Sequence, residues 1–189
     1  MQVEILYKPS YSIAHVTLGP NEPVLAEPGA MVGMSPSVSV ETKARGGLMR
    51  SLGRSLFGGE SFFLNTFRSA DGSGEIYLAP SLPGDVFTLE ISQQAFLVQS
   101  GSFMACSEGV EVDSHWTGAR TFFGGEGLTM LRCGGSGTLL LSSYGAIHEL
   151  SLSSGQTFTL DTGHAVAFEE NMGYHVRTVG GLKSTLFGG

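Results

Sequence analysis

The tetrapeptide Phe57-Gly58-Gly59-Glu60 returns as Phe123-Gly124-Gly125-Glu126, and its first three residues return once more as Phe187-Gly188-Gly189. The intervals are nearly equal, and recurrence at a near-constant interval is typical of chains built from repeated supersecondary units. The motif therefore predicts three tandem repeats, of which the last is incomplete, so we expect the natural chain to continue. The predicted repeats cover residues 1–57, 58–123 and 124–189.

A second pattern lies between these motifs. Three segments align as an apolar strand, a glycine corner and a second strand, and each carries glycine at its sixth position: residues 24–33, 96–105 and 158–167. A glycine at a fixed point predicts a bend where a Cβ atom would clash, and such bends carry a strand from one sheet of a sandwich to the other.

The tripeptides Gly72-Ser73-Gly74 and Gly135-Ser136-Gly137 each lead into an apolar run. Glycine turns between apolar segments are typical of β-hairpins, so we expect a hairpin at each. Residues 86–92 and 147–153 alternate in polarity with the two-residue period of a strand. These patterns predict an all-β fold, with three tandem β-sandwich repeats in one compact body spanning residues 1–189.

One segment departs from this period. Residues 47–56 place Leu48, Leu52 and Leu56 four positions apart, which puts them on one face of a helix. The spacing predicts one short amphipathic helix.

Composition limits the classes of function. The chain has 189 residues, 41% of them hydrophobic, and a formal net charge of -7, which disfavours nonspecific binding to nucleic acid. No apolar stretch is long enough to span a bilayer and no leader-like segment opens the chain, so we expect a cytoplasmic protein. Cys106 and Cys133 lack C-x-x-C spacing, which indicates buried thiols rather than a disulfide or a zinc site.

The five histidines raise the question of a metal centre. Their spacing includes no H-x-H or H-x-x-x-H, so the sequence predicts no metal site, no cofactor and no catalytic set. His164 directly follows the corner glycine Gly163 and is the single candidate for a ligand. The alternative is that this imidazole is an ordinary surface or hydrogen-bonded side chain.

A basic run is the other local feature. Lys43, Arg45, Arg50 and Arg54 lie in a stretch without acidic residues between Glu41 and Glu60. With leucines interleaved, the run could lie on a membrane surface or line a channel in an oligomer. The alternative is that the leucines cover an open end of the sandwich while the arginines remain solvated.

Several strings together resemble the altered-inheritance-of-mitochondria protein 24 family, a family of unknown function. They are PGAMVGM at 28–34, FGGESFFLNTF at 57–67, LPGD at 82–85, FFGGEGL at 122–128, SYGAIHELSL at 143–152 and DTGHAVAFEE at 161–170. The resemblance implies three repeats similar to the subunit of the trp RNA-binding attenuation protein, of the double-stranded β-helix type. It also implies self-association and, in eukaryotes, a link to mitochondrial membrane organisation and respiration.

Three hypotheses of function follow. The first is a non-enzymatic scaffold that forms a homo-oligomer and engages a protein or a membrane surface. The second is a metal-dependent enzyme or small-molecule binder with a site near His164, which a bound stoichiometric metal would reveal. The third is RNA binding, which the fold relation suggests and the acidic charge disfavours.

Overall fold

The computed structural model describes residues 1–44, 63–70, 72–114 and 129–175. Within them the chain forms strands and two short 3-10 turns, at Ser100–Ser102 and Thr162–His164. The strands are β1 (Gln2–Leu6), β2 (Ile13–Leu18), β3 (Pro23–Ala26), β4 (Met31–Met34), β5 (Val38–Ala44), β6 (Phe63–Ser69), β7 (Gly74–Leu78), β8 (Val86–Ser92), β9 (Phe96–Gln99), β10 (Phe103–Ser107), β11 (Val110–Asp113), β12 (Met130–Ser142) and β13 (Ala167–Glu169). The all-β prediction is confirmed.

The strands form two antiparallel sheets. One has four strands in the order β1-β2-β7-β4, and the other has nine, in the order β13-β9-β12-β10-β3-β6-β5, with β8 and β11 also paired to β12. Alternation explains how a strand such as β2 is stabilised, because Ala14, Val16 and Leu18 are fully buried while the residues between them face outward.

Two clusters of buried apolar side chains form the core. The first includes Val16, Phe67 and Ile76, and the second includes Phe103 and Leu139. Both cysteines lie in the second cluster as reduced thiols. Burial raises the pKa of the Cys133 thiol to about 12. The prediction that both thiols are buried is confirmed.

The hairpins expected at the two Gly-Ser-Gly tripeptides are wrong. The first tripeptide connects β6 to β7, which lie in different sheets, and the second lies inside the continuous strand β12. Gly72, Gly135 and Gly137 have positive φ angles of 114°, 86° and 146°. Glycine adopts these angles without strain. At the first tripeptide the chain crosses between sheets, and at the second β12 bends between its part paired with β9 and β11 and its part paired with β8 and β10.

The glycine corners behave as predicted in one respect and differently in another. Gly29 lies between β3 and β4, which belong to different sheets, so this corner does change sheets. The expected Cβ clash is absent, because a Cβ built on Gly29 or Gly163 meets no atom within 4 Å and one on Gly101 makes only ordinary contacts. Glycine is favoured at position 29 for a different reason: the backbone there has a φ angle of 92°, which other residues adopt only with strain.

Other predictions fall on undescribed residues. The helix expected at 47–56 and all three Phe-Gly-Gly motifs lie outside the described part of the chain. The three-repeat boundaries and the resemblance to the attenuation protein subunit therefore stay predictions. In the described ranges, no helix has the length and apolar character needed to cross a membrane.

Three loops meet at Gly84. The Ser12 amide donates to the Gly84 carbonyl at 3.0 Å, and the Asp85 amide donates to the Gly145 carbonyl at 2.8 Å. The buried Asp85 carboxylate accepts bonds from the Ser12 hydroxyl at 2.9 Å and the Val86 amide at 2.8 Å. A Cβ atom on Gly84 would lie 1.5 Å from the carbonyl oxygen of Ser143, so only glycine fits this junction.

We expect Gly84→Ala to lower the free energy of unfolding by about 2–3 kcal/mol, because backbone must move to admit the methyl group. Urea denaturation measures the effect as a shift in midpoint. Gly101→Ala is the matched control and should change the stability by less than about 0.5 kcal/mol. Equal effects of the two substitutions would contradict the close approach at Gly84.

Glu27 is a half-buried residue at the junction between β3 and β10. Its amide donates to the Met104 carbonyl at 2.9 Å. Burial disfavours the charged form and raises the pKa of Glu27 from 4.5 to about 7. The folded state therefore retains a proton that the unfolded state has lost between these two pH values.

The contribution of Glu27 to stability is thus present at low pH and is lost as the pH rises from about 4.5 to about 7. Glu27→Gln has no proton to lose. From pH 4 to pH 8, its free energy of unfolding should therefore rise by roughly 2–3 kcal/mol relative to the wild type. Urea titrations of both proteins at a series of pH values measure this difference. A constant difference would show that the carboxyl group ionises freely in the folded protein.

Candidate functional site

Of the predicted site residues, His164 alone lies in the described part of the chain. His164 lies in the second 3-10 turn, where its amide donates to the Asp161 carbonyl at 3.0 Å and its side chain is exposed. Among the described residues, no three His, Cys, Asp or Glu side chains are grouped to hold a metal ion. Arg45, Arg50 and Arg54 lie outside the described residues.

A polar row crosses the outer face of the four-stranded sheet. The cross-strand register places Glu4 opposite His15, His15 opposite Tyr77, and Tyr77 opposite Gly33. The His15 and Tyr77 rings stack with centroids 4.6 Å apart and planes 8° apart. Glu4 lies 4.0 Å from Nδ1 of His15, and Glu75 lies 3.7 Å from its Nε2.

The sequence analysis did not find this row, because its members come from four strands far apart in the chain. The available signal was the outward position of His15 in the alternation of β2. Stacking and the two nearby carboxylates fix the imidazole in place, so the row stiffens the face that ends at β4.

The edge strand β4 carries an apolar surface. Met31 and Met34 lie opposite Leu78 and Ile76, which are both fully buried. The two methionines are nevertheless 41% and 38% exposed, and Val32 beside them is 60% exposed. Side chains on the inner face of a sheet are normally covered, so the core at this edge is open to solvent.

A second open surface lies in residues 146–160. In the part of the chain that the structure describes, this segment belongs to no strand. Leu150, Phe158 and Leu160 are 42%, 56% and 52% exposed. Phe158 and Leu160 are two residues apart, so in an extended conformation they point to the same side. The alternation of apolar and polar residues predicted strands here, and the chain presents that pattern unpaired.

Exposed aromatic residues surround the loop junction at Gly84. Tyr7 and Tyr11 extend from the loop between β1 and β2, and Tyr144 follows β12. Lys8 lies 3.8 Å from Asp85 at the same end. Aromatic side chains with a polar tip are frequent at protein interfaces, so this end is a third candidate contact surface.

A shallow depression lies between residues 92–95 and the segment after β13. Its volume is about 470 Å³, and Glu170 and Asn171 line its far side. Arg132 donates to the two carboxylate oxygens of Glu170 at 2.7 and 3.0 Å, and this pairing raises the pKa of Arg132. The bidentate pair joins β12 to the end of β13 and leaves the depression without a free charge from either partner.

Three surfaces of the described residues thus expose apolar or aromatic side chains. They lie at a sheet edge, in a segment that belongs to no strand and at a loop end. Each of these can accept another polypeptide by pairing or packing.

The chain is similar in sequence and in fold to proteins of Streptococcus pyogenes. The chain is 30% identical over 184 residues to an uncharacterised protein, M6_Spy0233, of Streptococcus pyogenes, and the alignment covers 93% of this chain and 73% of that protein. The crystal structure of protein SPYM3_0169 from Streptococcus pyogenes superposes with a TM-score of 0.79 at 28% identity. That superposition covers 98% of this chain and 83% of the other.

The family described as "Mitochondrial biogenesis AIM24" matches residues 3–189. This match agrees with the strings that carried the resemblance in the sequence, and it covers nearly the whole chain. The chain therefore belongs to the AIM24 family.

Proposed function

We propose that this protein is a non-enzymatic scaffold that self-associates through its open sheet edges. The observation that carries the proposal is the solvent exposure of Met31 and Met34 on the inner face of β4, opposite fully buried residues. A strand that completes this edge would cover both side chains.

Two physical terms favour such an association. An edge strand presents unpaired N–H and C=O groups, which another strand can satisfy. Each Å² of apolar surface removed from water contributes about 25 cal/mol. Soluble monomers usually protect such edges with charge or proline, and β4 (Met31–Met34) carries neither.

The family supports an organising role. Its description refers to mitochondrial biogenesis, and its relative M6_Spy0233 is uncharacterised. We extend the proposal to the organisation of membrane or respiratory components by an assembled scaffold. We place this scaffold in the cytoplasm, which the two buried, reduced cysteines support because thiols persist in a reducing compartment.

Light scattering coupled to size-exclusion chromatography tests the proposal. The wild type should elute at a multiple of the chain mass, and its mass should fall on dilution. Val32→Lys should shift the protein towards the monomer, because Val32 is the most exposed side chain of β4 and a lysine on an edge opposes pairing.

Leu82→Lys is the matched control, since Leu82 is 61% exposed but lies in a loop outside the strands. It should retain the wild-type mass. A wild type that stays monomeric at high micromolar concentration, or equal effects of the two lysines, would refute the proposal.

A further inference from the structure

Two junctions between strands share one register. When residues 24–33, 96–105 and 158–167 are aligned, the β3–β10 pairing and the β9–β13 pairing join equivalent positions. The first joins Ala105 to Ala26, Cys106 to Leu25 and Ser107 to Val24. The second joins Ala167 to Val98, Phe168 to Leu97 and Glu169 to Phe96. In each junction the strand after one glycine corner pairs with the strand before the preceding corner.

The neighbouring ladders agree with this alignment. In the β4–β7 pairing, the register shifts between Met31 and Gly33. In the β10–β12 pairing, the register shifts at the aligned positions, between Phe103 and Ala105. β4 therefore pairs with β7 in the same way as β10 pairs with β12. However, β10 has β3 on its second side, whereas β4 has no second partner among the described residues.

The alignment also shows that residues 158–161 lack, among the described residues, the pairing partner that their counterparts in β3 and β9 have. Residues 158–161 align with residues 24–27, which include the last three residues of β3, and with β9. Both β3 and β9 pair with a strand that follows a corner. In the described part of the chain, residues 158–161 pair with nothing. β4 and residues 158–161 are thus the two unpaired ends of a series whose inner members are joined in one register.

We propose that β4 pairs antiparallel with residues 158–161 of a second copy of this chain, in the register of the two internal junctions. The pairing places Leu160 opposite Gly33, Thr159 opposite Met34 and Phe158 opposite Ser35. This inference rests on the proposed self-association and names the strands that carry it. A second copy is the partner because, among the described residues of one chain, neither the free edge of β4 nor residues 158–161 is paired.

The side chains fit this register. A Cβ atom on Gly33 meets nothing within 4 Å, so there is room beside it for the Leu160 side chain. Gly33 lies opposite Tyr77, so Leu160 extends the row that contains Glu4, His15 and Tyr77. The pairing also satisfies the free backbone groups of β4 and covers Leu160 and Phe158, which are 52% and 56% exposed.

The contact joins two different surfaces, so each copy offers one β4 and one 158–161 segment. Contacts of this kind are heterologous, and they close into a ring or a reciprocal pair when the rotation between copies allows it. The mass from light scattering reports the number of copies.

Disulfide trapping tests the register, with four chains that each carry one added cysteine besides the buried Cys106 and Cys133. The chains are Gly33→Cys, Met34→Cys, Thr159→Cys and Leu160→Cys, each at a position that is not buried. Mixtures of 33 with 160 and of 34 with 159 hold directly opposed positions, which suit a disulfide. Mixtures of 33 with 159 and of 34 with 160 are the controls, made from the same four chains. One chain of each mixture carries ¹⁵N, so that mass spectrometry identifies the mixed dimer.

We expect at least about tenfold more mixed covalent dimer from the two opposed pairs than from the two crossed pairs, because crossed positions point to opposite faces. Equal yields from opposed and crossed pairs would overturn the register. A chain that carries both Met34→Cys and Thr159→Cys tests the partner. If it forms only an intramolecular disulfide and no covalent dimer, the proposal that a second copy is the partner is wrong. If trapping fails while the wild type still self-associates, this inference fails and the scaffold proposal stands. A wild type that is monomeric would refute both the scaffold proposal and this inference.

Discussion

The fold depends on β12, the 13-residue strand that hydrogen-bonds to β8, β9, β10 and β11. Its first half packs Cys133 into the second core cluster, and its second half places Leu140 in the first. The bend between the halves admits only glycine. A Cβ on Gly135 would lie 2.3 Å from the Gly109 carbonyl oxygen, and one on Gly137 would lie 2.1 Å from the Ser107 hydroxyl. Both cores therefore share one strand and one bend.

The class of fold could be predicted because period-two alternation, as in residues 86–92, depends on burial of one face alone. The role of Gly135-Ser136-Gly137 could not be predicted, because a hairpin and a bend within one continuous strand both use glycines with positive φ angles. What separates them is the partner of the following strand, and that partner is distant in sequence. The Cβ clash expected at Gly101 was wrong for a related reason, since a 3-10 turn needs no glycine there.

The candidate surfaces were harder to predict than the fold. His164 stood out by its position after a glycine, yet its environment is solvent, whereas His15 gained its contacts from strands β1 and β7. The alignment of residues 24–33 predicted a strand after Gly29, but nothing in it indicated that Met31 would be exposed. Its exposure depends on which strand lies beside β4, and no local pattern encodes a neighbour that is not there.

The position of β12 along the chain also governs synthesis. All four of its partners, β8 to β11, precede it, so they leave the ribosome before any strand can pair them through β12. Until β12 has been synthesised, β8 to β11 therefore keep the edges unpaired that β12 will cover. This part of the sheet folds cooperatively only after residue 142 has emerged. A translational pause upstream of that point would lengthen the exposure of nascent chains to one another and to chaperones.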